Sequence, residues 1–218
     1  MSIALSIGNN LTTNGVFTAD AVNNTSVTNV TDFASVPGGG VLKLLSTQTA
    51  SASASIEFTS GIDSTYDSYV FKFINCRPTD NFRLLTFNMS TDGGSNYNVT
   101  KTTTLFRAYQ NETGTDTGLA YETGFDLAQS TGFAQLTGTY IGNGADESTS
   151  GELTIYNPSS STFVKHFICR SNTYDEANYS IDGFTAGYGN TTSPVNSIKF
   201  QMNSGNIADG IIKMYGVV

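Results

Sequence analysis

The chain is poor in charge, in histidine and in cysteine. Charged residues make up 13% of the 218 residues, well below the ~25% that is usual in globular proteins. There is one histidine, His166, and there are two cysteines, Cys76 and Cys169. A catalytic triad or a histidine-ligated metal site would depend on His166 alone, so we expect no catalytic residue, no metal site and no cofactor. Two cysteines are too few for a disulfide scaffold, and both a disulfide and two free buried thiols stay open.

Basic residues are also scarce, and this limits the partners. Ten Lys and Arg stand against eighteen Asp and Glu, giving a net charge of −8. Binding to nucleic acid needs clustered basic side chains, and anionic membranes repel a negative surface. No apolar run is long enough to span a membrane. We therefore expect no nucleic acid as a partner and no membrane insertion. Met1–Gly8 lacks the basic region and the long apolar run of a signal peptide, so we expect a cytoplasmic protein or one released by assembly and lysis.

The residues that are abundant favour strands and turns. Fourteen Phe, eleven Tyr and many Thr suit β-strands, while Asn, Ser and 22 Gly suit turns. Ser55–Thr59 alternates between apolar and polar residues, and Tyr69, Phe71 and Phe73 share one face of the next segment. Roughly nine or ten such segments, separated by turn signals, predict an all-β fold, an antiparallel β-sandwich of jelly-roll type with an extended N-terminal arm.

Three local patterns give finer predictions. Ser90–Asn96 contains Asp-Gly and predicts the turn of a β-hairpin. Residues 132–141 are apolar enough for a full strand. The one plausible helical turn is Asp126–Gln129.

The chain divides into three parts. Residues 1–36 alternate Asn, Thr and Val with few large apolar residues, which indicates an extended arm that docks on another surface. Residues 37–40 are a Gly-rich hinge. Residues 41–218 hold the strand patterns and form the β-sandwich domain.

Tyrosines near Asn, Asp and Gly are the candidate binding residues. Aromatic rings with amide neighbours are common in contacts with glycans and proteins. We expect these tyrosines in exposed loops, or folded back on the sandwich edge; they are Tyr97, Tyr174, Tyr179 and Tyr188, together with Tyr66. The alternative chemistry is a pair of carboxylates in a glycosidase cleft, for which Glu152, Asp175 and Glu176 are the residues to test.

Five segments, in order, resemble a β-rich domain of tailed-bacteriophage virion proteins, notably those of marine phages. The likeness covers about residues 55 to 218, and its segments are Gly61–Asn75, Ser90–Tyr97, Ser150–Ile155, Asn203–Ile207 and Ile212–Gly216. The resemblance implies a virion surface module on tail fibres, tail tips or heads, without catalytic residues. It also implies a homotrimer, which would bury sheet edges that a monomer exposes.

These observations lead to one main hypothesis and its alternatives. The main one is a non-enzymatic structural protein of a tailed-phage virion, assembled in the host cytoplasm. Its arm binds other virion proteins, and its sandwich is a tail fibre or tail appendage module that recognises the host surface. The loops of the sandwich contact either a host-surface glycan or neighbouring capsid subunits. The alternatives are a capsid decoration (cement) protein and a jelly-roll carbohydrate-active enzyme or lectin.

Overall fold

The computed structural model describes residues 42–218, so the predicted arm and hinge lie outside the described residues. Twelve strands follow one another, with a short 3-10 turn at Thr123–Phe125 between the sixth and seventh. The strands are β1 (Leu42–Ser53), β2 (Ile56–Phe58), β3 (Ser68–Pro78), β4 (Leu85–Ser90), β5 (Lys101–Asn111), β6 (Thr117–Tyr121), β7 (Ala134–Gln135), β8 (Ser148–Tyr156), β9 (Lys165–Tyr174), β10 (Tyr179–Gly189), β11 (Ser197–Met202) and β12 (Ile207–Val217).

The strands form two antiparallel sheets. Eight strands make the large sheet, in the order β1-β12-β3-β8-β9-β10-β5-β6, and four make the small sheet, in the order β2-β11-β4-β7. The sheets pack face to face, which confirms the predicted all-β, antiparallel β-sandwich. Its jelly-roll type stays a prediction. None of the helical segments within residues 42–218 is long and apolar enough to cross a membrane.

The core lies between the two sheets because inward residues recur every second position. Tyr69, Phe71 and Phe73 of β3 are fully buried, as their shared face predicted. The ring of Phe71 lies 5.3 Å from that of Phe58 and 5.5 Å from that of Phe200, both on the small sheet. Such contacts across the layer remove apolar area from water, and a fully buried Phe side chain contributes about 1.5–3 kcal/mol.

Two buried lysines lie at one end of the inner face of the large sheet. Lys165 on β9 and Lys101 on β5 both pair in register with Gly189 of β10. The Lys101 Nζ donates to Asn88 Oδ1 at 2.5 Å and to the Val99 carbonyl at 2.6 Å. Burial lowers the pKa of Lys101 to about 7, because an apolar surrounding disfavours the charged amine. The Lys165 Nζ donates to backbone carbonyls of the loops around it.

The hairpin predicted at Ser90–Asn96 is wrong, because the strands before and after the turn do not pair with each other. The turn itself is present, with Gly93 and Gly94 at positive φ of 73° and 89°. However, β4 belongs to the small sheet and β5 to the large one, so the connection crosses between sheets. Asp-Gly specifies the backbone conformation of a turn, and it does not specify which strands pair.

Two other local predictions need correction, and one strand was not predicted. Within residues 132–141, only Ala134–Gln135 pairs as a strand, with a further single bridge at Ile141. The helical turn expected at Asp126–Gln129 lies three residues earlier, at Thr123–Phe125. The sequence patterns also missed β10, an eleven-residue strand in the middle of the large sheet.

Candidate functional site

The outer face of the large sheet, the one turned away from the small sheet, is the surface on which we place the candidate site. On β9, burial alternates at every residue from Lys165 to Thr173, so that His166, Ile168, Arg170 and Asn172 are exposed. Ile168 retains 53% of its accessible surface. A half-polar, half-apolar sheet face of this kind offers contact area to a partner.

A stack of planar groups occupies the middle of the outer face. The rings of Phe106 and Phe184, on neighbouring strands, are parallel within 5° with centroids 4.8 Å apart. On the other side of Phe184, the Arg170 guanidinium lies 5.0 Å from the ring centroid. The Phe184 ring therefore lies between Phe106 and Arg170, and Phe106 remains 42% exposed.

Ion pairs hold the polar groups next to this stack. The Arg170 guanidinium donates to both carboxylate oxygens of Asp182, from Nε at 3.0 Å and from a terminal nitrogen at 2.7 Å. The Lys72 Nζ lies 3.7 Å from Glu152, which is paired in register with Arg170. Charges of opposite sign alternate along this row, so the middle of the face has little net charge.

An open depression lies beside the stack, toward the end of β10. We call it the Tyr188 depression; its volume is about 470 Å³ and its outward-facing lining is Thr102, Thr104, Tyr156, His166, Ile168 and Tyr188. Ala186 forms its floor, because this small residue pairs in register with Ile168 on one side and Thr104 on the other. The Tyr188 and His166 rings are 6.3 Å apart and tilted by 58°, so they are not stacked face to face.

Gln129 fixes the polar rim of the Tyr188 depression. Its backbone is left-handed, with φ of 48°, which is uncommon for a residue with a side chain. The Gln129 Nε2 donates to Thr102 Oγ1 at 2.8 Å and to the Tyr188 hydroxyl at 3.3 Å. Asn190 Nδ2 donates to Gln129 Oε1 at 2.7 Å. Sequence reasoning missed Gln129, since no local pattern marks a backbone held this way by contacts distant in sequence.

The four predicted tyrosines do not gather in one site. Tyr179 and Tyr188 lie at the two ends of β10 and Tyr174 is the last residue of β9, so of these four only Tyr97 lies in a loop, as does Tyr66. All four are half-buried. Their role in binding stays a prediction, and of the four only Tyr188 lies in the open depression that is described above.

The other three tyrosines have fixed partners. The Tyr97 hydroxyl donates to Glu57 at 3.0 Å, and burial together with the Glu57 carboxylate raises the pKa of Tyr97. Tyr179 donates to Asp116 and Tyr174 to Asn178, each at 2.7 Å. These contacts anchor the rings to the sandwich, which agrees with the alternative expectation of rings folded back on the sandwich edge.

The carboxylates that were considered for catalysis make separate contacts. Glu152 pairs with Lys72 on the outer face. Asp175 accepts backbone N–H groups of Ala177 and Tyr179 and so stabilises the β9–β10 turn. Glu176 accepts from Asn81 at 2.6 Å. Across residues 42–218, no group of three or more His, Cys, Asp or Glu is placed to hold a metal ion.

Cys76 and Cys169 are free and buried. They lie on β3 and β9, which are separated by β8 in the large sheet. Burial raises the pKa of Cys76 to about 12 and that of Cys169 still further, so both thiols stay protonated at neutral pH. Of the two alternatives, the structure has free thiols.

Comparison of the chain with protein-family models, with curated proteins and with solved structures gives no significant match.

Proposed function

We propose that this chain is a non-enzymatic structural protein of a tailed-phage virion, exposed on the particle as a tail fibre or tail appendage module that contacts the host surface. The observation that carries the binding role is the outer face of the large sheet. There, apolar and aromatic side chains surround an open depression next to a row of balanced charges. The placement on a virion rests on the resemblance of residues 55–218 to virion surface domains.

The edges of the large sheet favour association between copies of the chain, and the resemblance to virion surface domains implies three copies. β1 and β6 are the terminal strands, so each has one edge without a partner among the described strands. β6 has no charged residue in its five positions, and its Leu119 is 75% exposed. Uncharged, apolar edges promote association between copies. In this proposal the edges meet in a ring of three subunits, which leaves the outer faces free for the host, and the arm (1–36) binds other virion proteins.

The experiment is immunogold electron microscopy of intact particles, with antibody raised against residues 42–218. Label at the tail is expected. As the matched control, the same antibody is first absorbed with the purified protein, which must abolish the label.

The other outcomes separate the alternatives. Label spread over the head means capsid decoration and contradicts the tail placement. Absence of label from every particle contradicts the virion role, and a free lectin or a carbohydrate-active enzyme then takes its place. Sedimentation of the purified full chain tests the trimer independently, because a monomer at micromolar concentration contradicts it.

A further inference from the structure

We infer that the Tyr188 depression is a binding subsite for a neutral saccharide. The inference rests on the proposed contact with the host surface, and it adds the place of that contact and the chemical class of the ligand. Sugars offer C–H faces that pack on aromatic rings, and hydroxyl groups that need donors and acceptors in fixed positions. Both kinds of contact surface occur together in this depression.

The walls supply the aromatic part. Tyr156 is 42% exposed, and the Tyr188 and His166 rings are tilted by 58°, so they are not stacked face to face on each other. The contrast is with Phe184, which lies between Phe106 and the Arg170 guanidinium. Because Ala186 is small, a sugar ring can reach the sheet surface between Ile168 and Thr104.

The rim supplies hydrogen bonds that are already oriented. Gln129 donates to Thr102 Oγ1 and to the Tyr188 hydroxyl. Both hydroxyls thus act as acceptors toward Gln129, and each keeps its own proton to donate to a ligand. The left-handed backbone of Gln129 is sparsely populated in proteins and indicates a functional constraint. Here Gln129 holds the side chains of Thr102, Tyr188 and Asn190 around one rim. Such preorganisation lowers the entropy that binding costs.

The lining sets the charge of the ligand. None of the described residues that line the depression is Asp, Glu, Lys or Arg. The charged side chains of the outer face, such as Arg170 and Asp182, bond to each other in the neighbouring region. An acidic sugar would find no lysine or arginine here, so the site favours uncharged sugars.

The test uses the purified full chain and two sets of trisaccharides. Binding is followed by saturation-transfer NMR and by titration calorimetry at pH 7.5. The neutral probes are maltotriose, cellotriose, mannotriose and chitotriose in its N-acetylated form, and the acidic probe is trigalacturonate. We expect at least one neutral probe to bind and trigalacturonate not to bind.

Three variants localise the site. Ala186→Leu fills the depression and is expected to weaken binding about tenfold or more, and Tyr188→Phe, which removes only a hydroxyl, several-fold. The matched control is Asn172→Ala, an exposed residue of the same face outside the depression, which should bind as the wild type does. Thermal unfolding of each variant verifies that it folds.

Several results overturn the inference. They are the absence of binding by every neutral probe, equal binding of trigalacturonate, and unchanged binding by a folded Ala186→Leu variant. These failures differ from failure of the proposed function, because immunogold labelling of the tail would stand without any saccharide at this site.

Discussion

The two faces of the large sheet differ although they are built from the same strands. On β9, Phe167 is buried against Phe87 with ring centroids 4.9 Å apart, while the next residue, Ile168, is exposed on the outer face. The inner face is filled by side chains of the small sheet. The outer face has no second layer among the described residues, so its side chains are free to bind a partner. A residue that stabilises the core and a residue that is free to contact a partner are thus direct neighbours in the chain.

The largest effect should come from neighbouring truncations on the two faces. Phe167→Ala leaves a cavity in the core and is expected to lower the free energy of unfolding by about 3–5 kcal/mol. Ile168→Ala, its matched control, should change the same quantity by less than ~0.5 kcal/mol. Urea denaturation measures both. Similar losses for the two variants would mean that the outer face is covered in solution.

The second effect concerns Lys101, at the end of the inner face. Its pKa is 10.5 when exposed and about 7 in the fold, so above pH 7 the unfolded chain binds a proton that the folded chain does not. Lys101 therefore makes the free energy of unfolding rise with pH, by about 1.4 kcal/mol per pH unit. The measurement is denaturation from pH 7 to 8.5, below the ordinary pKa of 9.0 of the buried thiols, which act in the opposite direction.

Lys101→Met is the control for this pH dependence. It removes the titrating amine, so the slope with pH should fall by the Lys101 contribution whatever the variant does to stability at a single pH. A rise of equal slope in the variant would show that another group causes it.

A smaller effect is expected from the stacked rings of the outer face. A double-mutant cycle with Phe106→Leu and Phe184→Leu should give a coupling energy of about 0.5–1.5 kcal/mol, because the parallel rings lie 4.8 Å apart. Thermal unfolding of the four proteins measures it. Additive losses would mean that the rings do not stack in solution.

The smallest effect belongs to the ion pair of Arg170 and Asp182. Both groups lie at the surface, so removing the pair should cost at most ~1 kcal/mol despite its two hydrogen bonds. The cost should fall further in 1 M salt, where the Debye length is about 3 Å. A large loss that salt does not change would place this pair in a buried environment, against the described face.

Local patterns predicted most strands but not their partners. The alternation of Tyr69, Phe71 and Phe73 marked the buried face of β3 correctly, since side-chain direction in a strand alternates whatever its neighbours are. The Asp-Gly turn after β4 was equally clear, yet it joins two sheets. Because strands pair through backbone hydrogen bonds, which are the same for every residue type, the sequence of one strand does not predict which strand it pairs with.

β10 shows why some strands and most of the candidate site were missed. Its glycines, serine and aspartate are typical of turns and loops. In the fold, a Cβ atom on Gly187 would come within 2.7 Å of the Phe167 ring and within 2.5 Å of the Thr102 carbonyl, so glycine allows β9, β10 and β5 to approach. Of the Tyr188 depression, the sequence indicated Tyr188 alone. Strand register brings Ala186 and Tyr156 to Tyr188, and a loop contact brings Gln129 there.

The sequence by itself determined that this protein is all-β and which residues alternate on the better-marked strands. Its few basic residues and single histidine also limited the kinds of partner and site that we expected. Those properties depend on composition and on a period of two, which every strand carries locally. Only the tertiary structure decided the order of the strands, the free state of Cys76 and Cys169, and the depression on the outer face. Each of these depends on the distance between residues far apart in the chain, which packing of the two sheets sets.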